Sequence, residues 1–247
     1  VDEVLRHALT KFSHIHFAAT KASRDRIIKM GENPKYVFLV GSPSLDTIKK
    51  TAYLPKQKIF KKYSIDPEKK LVVFLQHPVT TEINNVVKQI KQSLNALKKT
   101  AQRKDVQVLA IYSNNDAGGK RIIKNLLKSG IKVVPHIVYE DFLNLLKYAH
   151  ALVGNSSTGI HEAPSFGLPT VNIGTRQQHR ERGINVIDAK NNSGEIFSAI
   201  KNCLDNSKFR TKVKNGHNPY DHGITAKKIV KILETVKFPS IQKVITY

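Results

Sequence analysis

The sequence predicts an α/β protein built on a parallel sheet wound on both faces. Three observations carry that expectation. Short, mainly apolar runs recur at residues 71–76, 106–112, 131–134, 151–153, 169–173 and 184–187. Segments of helical period separate most of them, and polar turns follow them. Apolar strands alternating with helices are the pattern of a sheet buried on both sides. In such an open sheet, ligands sit outside the carboxyl ends of the strands. The turns after the six runs are therefore where chemistry is sought.

The elements read in order as follows. Leu5, Ala8, Leu9 and Phe12 open the chain in a helical pattern. Residues 14–20 (HIHFAAT) form a short strand. Thr20 then precedes a helix over 21–30, closed by Gly31. A β-rich run at 36–40 ends in Gly41-Ser42-Pro43, and residues 50–66 are the nearest thing to a boundary. Helices over 82–101, 119–129, 139–148 and 157–166 alternate with the six strands to complete one doubly wound domain. Residues 193–204 and 222–236 read as further helices, and the last ten residues as a loose tail. There is no internal repeat and no Pro/Gly/Ser linker.

Composition narrows the class. At 40% hydrophobic, with 13 Gly and 10 Pro in 247 residues, the chain is globular rather than disordered or fibrous. Cys203 is the only cysteine, which rules out an internal disulfide and a thiolate cage and fits a reducing, cytoplasmic setting. No apolar run approaches the ~18 residues of a membrane helix, and residues 1–7 have no leader pattern. Net charge is +22, the electrostatic footprint of a polyanion binder. The excess is mostly lysine scattered on helical segments such as 88–104 and 227–237, which reads as solvated faces. Zinc-finger spacing, an RNA-binding aromatic signature and a basic arm are all missing from the sequence, so nucleic acid is set aside.

The turns differ in what they offer. After the first of the six runs, Gln76-His77-Pro78-Val79-Thr80-Thr81 leaves His77 at a strand tip, either as a general acid/base or phosphate donor with a near-neutral pKa, or as a histidine satisfying a loop carbonyl. After the second, residues 113–119 (SNNDAGG) place Asn114 beside two glycines that let backbone approach a ligand, as an ordinary turn also would. After the fourth, residues 153–163 (VGNSSTGIHEA) put Ser156 and Ser157 at an expected helix start. That is a phosphate cradle by hydroxyls and helix dipole, preferred over plain capping. Glu162 falls about a turn and a half into that helix, where a carboxylate can take two ribose hydroxyls. After the fifth, Arg176, Arg180 and Arg182 fall within seven positions, either as guanidinium forks for phosphate or as a solvated loop.

Together these segments resemble a known family. Residues 2–20 (DEVLRHALTKFSHIHFAAT), 40–46 (VGSPSLD), 75–81 (LQHPVTT), 114–118 (NNDAG) and 154–176 (GNSSTGIHEAPSFGLPTVNIGTR) are similar to UDP-N-acetylglucosamine 2-epimerases. They are most similar to the hydrolysing branch that feeds sialic-acid and related nonulosonate synthesis. Residues 218–223 (NPYDHG) resemble the family's Asn-Pro-Tyr-Gly-Asp-Gly run, with Asp221 and His222 standing where Gly and Asp are usual.

The resemblance implies a GT-B fold, two Rossmann-like domains with a nucleotide sugar in the cleft between them. Residues 1–40 are then the end of a first domain that is mostly missing, 41–218 a complete UDP-binding domain, and 219–247 a helix and tail returning toward the first. His77, Asn114, Ser156, Ser157, Glu162 and Arg176 match UDP-contacting positions, the serines at the phosphates and Glu162 at the ribose. Asp2 matches a catalytic carboxylate, Arg6 shares its helical motif, and His77 joins Asp2 in the chemistry. His14 and His16 match histidines expected to serve the fold, and with no acidic or thiolate neighbour in sequence they make a poor metal site. The implied reaction is elimination of UDP to a 2-acetamidoglucal, then hydration to N-acetylmannosamine, without metal or redox cofactor, in a homo-oligomer (dimer or tetramer). Non-hydrolysing and diacetamido-sugar relatives, or a non-catalytic nucleotide- or polyanion-binding module, are the alternatives.

Overall fold

The structure, a computed structural model, describes residues 2–246, with side chains from residue 4 onward. The chain forms two compact units, Val1–Lys50 with Pro219–Tyr247, and Thr51–Asn218.

The first unit begins with α1 (Asp2–Phe12), β1 (His16–Ala18), α2 (Lys21–Lys29), β2 (Val37–Leu39) and α3 (Pro43–Lys50). β1 and β2 run parallel, with His16 opposite Val37. Thr20 starts α2 as its sequence position suggests: it is extended, and its hydroxyl accepts the Ser23 N–H at 3.2 Å.

The second unit contains α4 (Lys56–Lys62), β3 (Lys70–Leu75), α5 (Val86–Ala101), β4 (Val106–Ile111), α6 (Gly119–Leu127), β5 (Lys132–Val134) and α7 (Tyr139–Tyr148). It continues through β6 (Ala151–Gly154), β7 (Thr170–Ile173), β8 (Val186–Ala189), α8 (Ser193–Asp205) and α9 (Ser207–Lys214). The six strands pair in the order β5-β4-β3-β6-β7-β8, every pair parallel. The sequence-predicted α/β class is what is found. β3 is central because Leu71, Val72, Val73 and Phe74 have no exposed surface at all, as a strand covered on both faces requires. On one face, Ile90 and Leu97 of α5 and Ile196 and Ile200 of α8 close over Val72, Phe74, Ala151 and Val153. Each such side chain contributes roughly 1.5–3 kcal/mol by leaving water.

The chain winds outward from β3 through β4 to β5, then crosses back to lay β6 on the other side of β3. That reversal opens a crevice between the carboxyl ends of β3 and β6, the place where doubly wound sheets bind ligands.

At the opposite, amino edge of the sheet, Arg103 donates to both carboxylate oxygens of Asp105 (3.0 and 2.9 Å) and of Asp205 (2.7 and 3.0 Å). Lys70 stands 3.2 Å from Asp105 and 3.5 Å from Asp205. Hydrogen bonds from Arg103 hold both carboxyls below the usual carboxylate range.

The last part of the first unit is α10 (Thr225–Thr235) and the segment after it. Asp46 of α3, though buried, caps α10 by accepting the N–H groups of Thr225 at 2.9 Å and Ala226 at 2.8 Å. The loose tail expected at the end is instead tied down. Lys243 donates to the carbonyls of Thr10, Lys11 and Ser13 at the end of α1 (3.1, 2.8 and 2.5 Å) and sits 2.7 Å from buried Glu32. A cation satisfying orphan carbonyls at a helix C-terminus is a favourable arrangement.

Three further expectations are corrected. Residues 157–166 are not an α-helix but two 3₁₀ turns, Ser157–Gly159 and Ala163–Phe166. Pro164 has no N–H to continue a helical ladder, and Gly159 is a poor helix former. Residues 43–50, 56–62 and 207–214 are helices that the apolar pattern did not announce. The last strand lies at 186–189, two residues later than its apolar run. Among the described residues, no helix is long and apolar enough to cross a membrane.

Candidate functional site

Asn155 organises the crevice at the end of β6. Gly154 immediately before it has φ +138°, and a Cβ there would stand 2.0 Å from the Leu75 carbonyl oxygen. Only glycine lets β6 end this close to β3. Buried Asn155 then reaches across: its Oδ1 accepts the His77 N–H at 2.7 Å and its Nδ2 donates to the His77 carbonyl at 2.8 Å. Its own carbonyl accepts from Arg176 Nη1 at 3.2 Å and Gln177 Nε2 at 2.8 Å. Three loops, those after β3, β6 and β7, are thus fastened at one residue.

His77 is held in one state. Its Nδ1 accepts the Asn114 N–H at 3.1 Å, so the ring carries its hydrogen on Nε2. Burial, then the neighbouring Arg176 charge, pushes its pKa down to about 4, with Asp116 pulling weakly the other way. The near-neutral pKa expected at this strand tip is corrected: the imidazole is neutral at pH 7 and offers a donor at Nε2. Asn114 Nδ2 donates to Asp116 at 2.6 Å, while its buried Oδ1 has no hydrogen-bond partner. Gly118, with φ +97°, closes this loop where a Cβ would strike Ile83 at 2.7 Å.

Ser156 and Ser157 follow Asn155 directly and are half-buried. The Ser156 hydroxyl accepts the Thr158 N–H at 3.4 Å, which is the capping role weighed against phosphate binding. Without an α-helix behind them the macrodipole part of the cradle falls away. Hydroxyls, turn amides and Arg176 remain as donors. Glu162 stands at the entry of the second 3₁₀ turn rather than inside a helix. Its carboxylate charge reaches Tyr139, whose pKa is pushed up to about 12 by burial first and by Glu162, Tyr53 and Glu140 after it. Tyr53 meets Phe166 of the same turn edge-on at 6.0 Å.

The arginine run divides in function. Arg180 donates to Gln177 at 2.9 Å and lies 3.0 Å from His161 Nε2, whose pKa is pushed down to about 4 by burial and by Arg180. Arg182 donates to the Gln177 carbonyl at 2.7 Å and pairs with Asp188. Both arginines are built into the scaffold, leaving Arg176 as the guanidinium beside His77.

His77, Asn114, Ser156, Ser157 and Arg176 are therefore brought to one end of the sheet. Arg6 belongs to α1 of the first unit, and the side chain of Asp2 lies outside the described residues. His16 is buried and 3.1 Å from Glu32, and His14 Nε2 is 3.1 Å from the Ile241 carbonyl, both within the first unit. Sequence reasoning missed Asn155, because an amide in a Gly-Asn-Ser-Ser turn looks like any loop residue. It missed Glu82 as well, which falls at the start of the helix expected over 82–101 and lies instead in a 3₁₀ turn before α5.

A parallel doubly wound sheet whose polar loops gather at the reversal of strand order defines a Rossmann-like α/β protein. The chain belongs to the UDP-N-acetylglucosamine 2-epimerase family, whose model matches residues 1–234. It is 33% identical over 245 residues to a Legionella pneumophila UDP-N,N'-diacetylbacillosamine 2-epimerase (hydrolyzing), covering 97% of this chain and 62% of that one. To a Neisseria meningitidis UDP-N-acetylglucosamine 2-epimerase it is 37% identical over 212 residues, covering 85% and 55%. The solved Neisseria meningitidis UDP-GlcNAc 2-epimerase bound to UDP-GlcNAc superposes with a TM-score of 0.75 at 20% identity, over 92% of this chain and 63% of that one. The chain thus spans about 55–62% of the length of these curated relatives.

Proposed function

We propose that this chain carries the UDP-binding unit of a hydrolysing 2-epimerase that acts on UDP-N-acetylglucosamine, releasing UDP and N-acetylmannosamine. The observation that carries the reading is the fastening of the His77, Ser156 and Arg176 loops at Asn155. It gathers a neutral N–H donor, two hydroxyls and a guanidinium at the switch point. Charge develops on a diphosphate as it leaves the anomeric carbon, and preorganised donors lower the barrier by stabilising it. In this reading the serines and Arg176 hold the diphosphate, His77 Nε2 donates to it, Asn114 lines the pocket and Glu162 accepts from the ribose diol. Asp2 and Arg6 act on the sugar side, with Asp2 in proton transfer. The protein would work as a homo-oligomer in the cytoplasm, a reading that rests on the family resemblance.

A second reading keeps the chemistry and changes the sugar. The Legionella pneumophila relative, matched over 97% of this chain, is named for a diacetamido sugar. Binding tests the common part: by calorimetry the 247-residue chain should prefer UDP to uridine, and Ser156→Ala with Ser157→Ala should remove most of the preference. Each lost charge-assisted bond is worth roughly 1.5–3 kcal/mol. Equal affinity for UDP and uridine would overturn the reading. The chain alone should give no measurable turnover. In a version extended to the relatives' length, free N-acetylmannosamine supports the first reading, a released diacetamido sugar the second, and UDP-N-acetylmannosamine would exclude a hydrolysing enzyme.

A further inference from the structure

Glu82 lies outside every motif that the sequence offers, yet it joins two sides of the crevice. It follows Thr80 and Thr81 in the loop after β3 and breaks the 3₁₀ turn there, with φ −121° and ψ 26°. The break accompanies a carboxylate that reaches the loop after β7, where its Oε1 accepts the Thr175 hydroxyl across a sequence separation of 93 residues. Its Oε2 accepts from Nε2 of Gln89, itself buried on α5, at 2.5 Å. One oxygen is thereby anchored to the helix and the other holds the loop. The same turn sends Ile83 against Gly118 of the loop after β4. The segment 80–85 therefore meets the loops after β4 and β7.

Thr175 immediately precedes Arg176. From the β6 side their loop is held at the Asn155 carbonyl, which accepts from Arg176 Nη1 at 3.2 Å and Gln177 Nε2 at 2.8 Å; Glu82 holds it from the β3 side. A phosphate-holding arginine on a short loop is useful only if its backbone is fixed before the ligand arrives, since ordering it on binding would subtract from affinity. We propose that Glu82 is a positioning residue for the diphosphate end of the site, acting through Thr175 to set the Arg176 loop. The inference rests on the reading of the crevice as a UDP site.

The test is calorimetry of UDP and of uridine with the 247-residue chain, combined with hydrogen exchange over residues 174–178. Glu82→Ala and Thr175→Val should each weaken UDP about tenfold and leave uridine within about twofold, a difference that a general loss of structure would not produce. The double variant should be no worse than either single one, because both remove the same bond. Glu82→Gln, whose amide oxygen can still accept from Thr175, should restore most of the affinity. Exchange in the loop should rise in the two single variants without ligand. Unchanged UDP affinity, equal loss of UDP and uridine, additive losses or an unaltered loop would each overturn the proposal. If the unmodified chain shows no preference for UDP over uridine, the UDP-site reading itself falls, and loop exchange alone then decides whether Glu82 sets the loop.

Discussion

The side chain of Asn155 and the main chain of His77 form a reciprocal pair, 2.7 Å in one direction and 2.8 Å in the other. The main-chain N–H and C=O of His77, which would otherwise need a strand partner, find it in one side-chain amide. Asn155→Leu should leave a buried N–H and C=O without partners, at roughly 1–3 kcal/mol each. UDP affinity should fall with the melting midpoint. Asn155→Asp keeps the acceptor and loses the donor, so its loss should be intermediate. A midpoint unchanged in Asn155→Leu would show that the pair contributes nothing.

His77, His150 and His161 all have pKa values pushed down to about 4, burial being the first cause in each. Their unfolded value is about 6.5. Between those limits the unfolded chain binds more protons, so stability falls as pH falls from about 6.5 toward 4. At pH 5 His77 and His161 should each cost on the order of 1–2 kcal/mol relative to pH 7.5, and the more exposed, better screened His150 less. Melting midpoints measured from pH 7.5 to 4.5 check this, and a flat profile would contradict it.

NMR of His77 gives a second, local reading. The free protein should show the Nε2–H tautomer and no titration above pH 5. Saturating UDP should raise the pKa, because an anion near Nε2 favours the charged ring. An unmoved titration would place the diphosphate elsewhere.

Glu162→Gln should weaken UDP while leaving 2′,3′-dideoxy-UDP unchanged, since the diol donates two O–H groups that a carboxylate accepts better than an amide. Equal losses for both ligands, or none, would make Glu162 a scaffold residue facing Tyr139.

Lys243→Met removes three carbonyl partners and the ion pair with Glu32. Exchange should accelerate at residues 10–14 and 240–246 together and stay unchanged across β3 and β6. Faster exchange confined to the tail would show that Lys243 does not cap α1.

The sheet and most strand limits were legible because β-branched runs with fixed spacing leave little alternative. The helices at 56–62 and 207–214 were not, because KQKIFKK and SKFRTKVK bury few side chains, Ile59, Phe60 and Val213 among them. The helix expected over 157–166 gives way to two short turns, the second starting at Ala163-Pro164, although the apolar spacing is helical. The sequence also pointed to His77, Ser156 and Arg176 by residue type at strand tips. It could not show that His77 would be neutral, for that depends on burial and on Arg176, 99 positions further along the chain. Nor could it single out Asn155 or Glu82, whose roles exist only through long-range partners.

The cluster of Arg103, Asp105, Asp205 and Lys70 binds the sheet together at its amino edge. The loops carrying His77, Ser156 and Arg176 leave from the other edge. Tolerance to change is therefore distributed unevenly along the strand axis. Substitutions in the carboxyl-edge loops leave untouched the ion pairs that hold the opposite rim, so those loops can change while the strands keep their register.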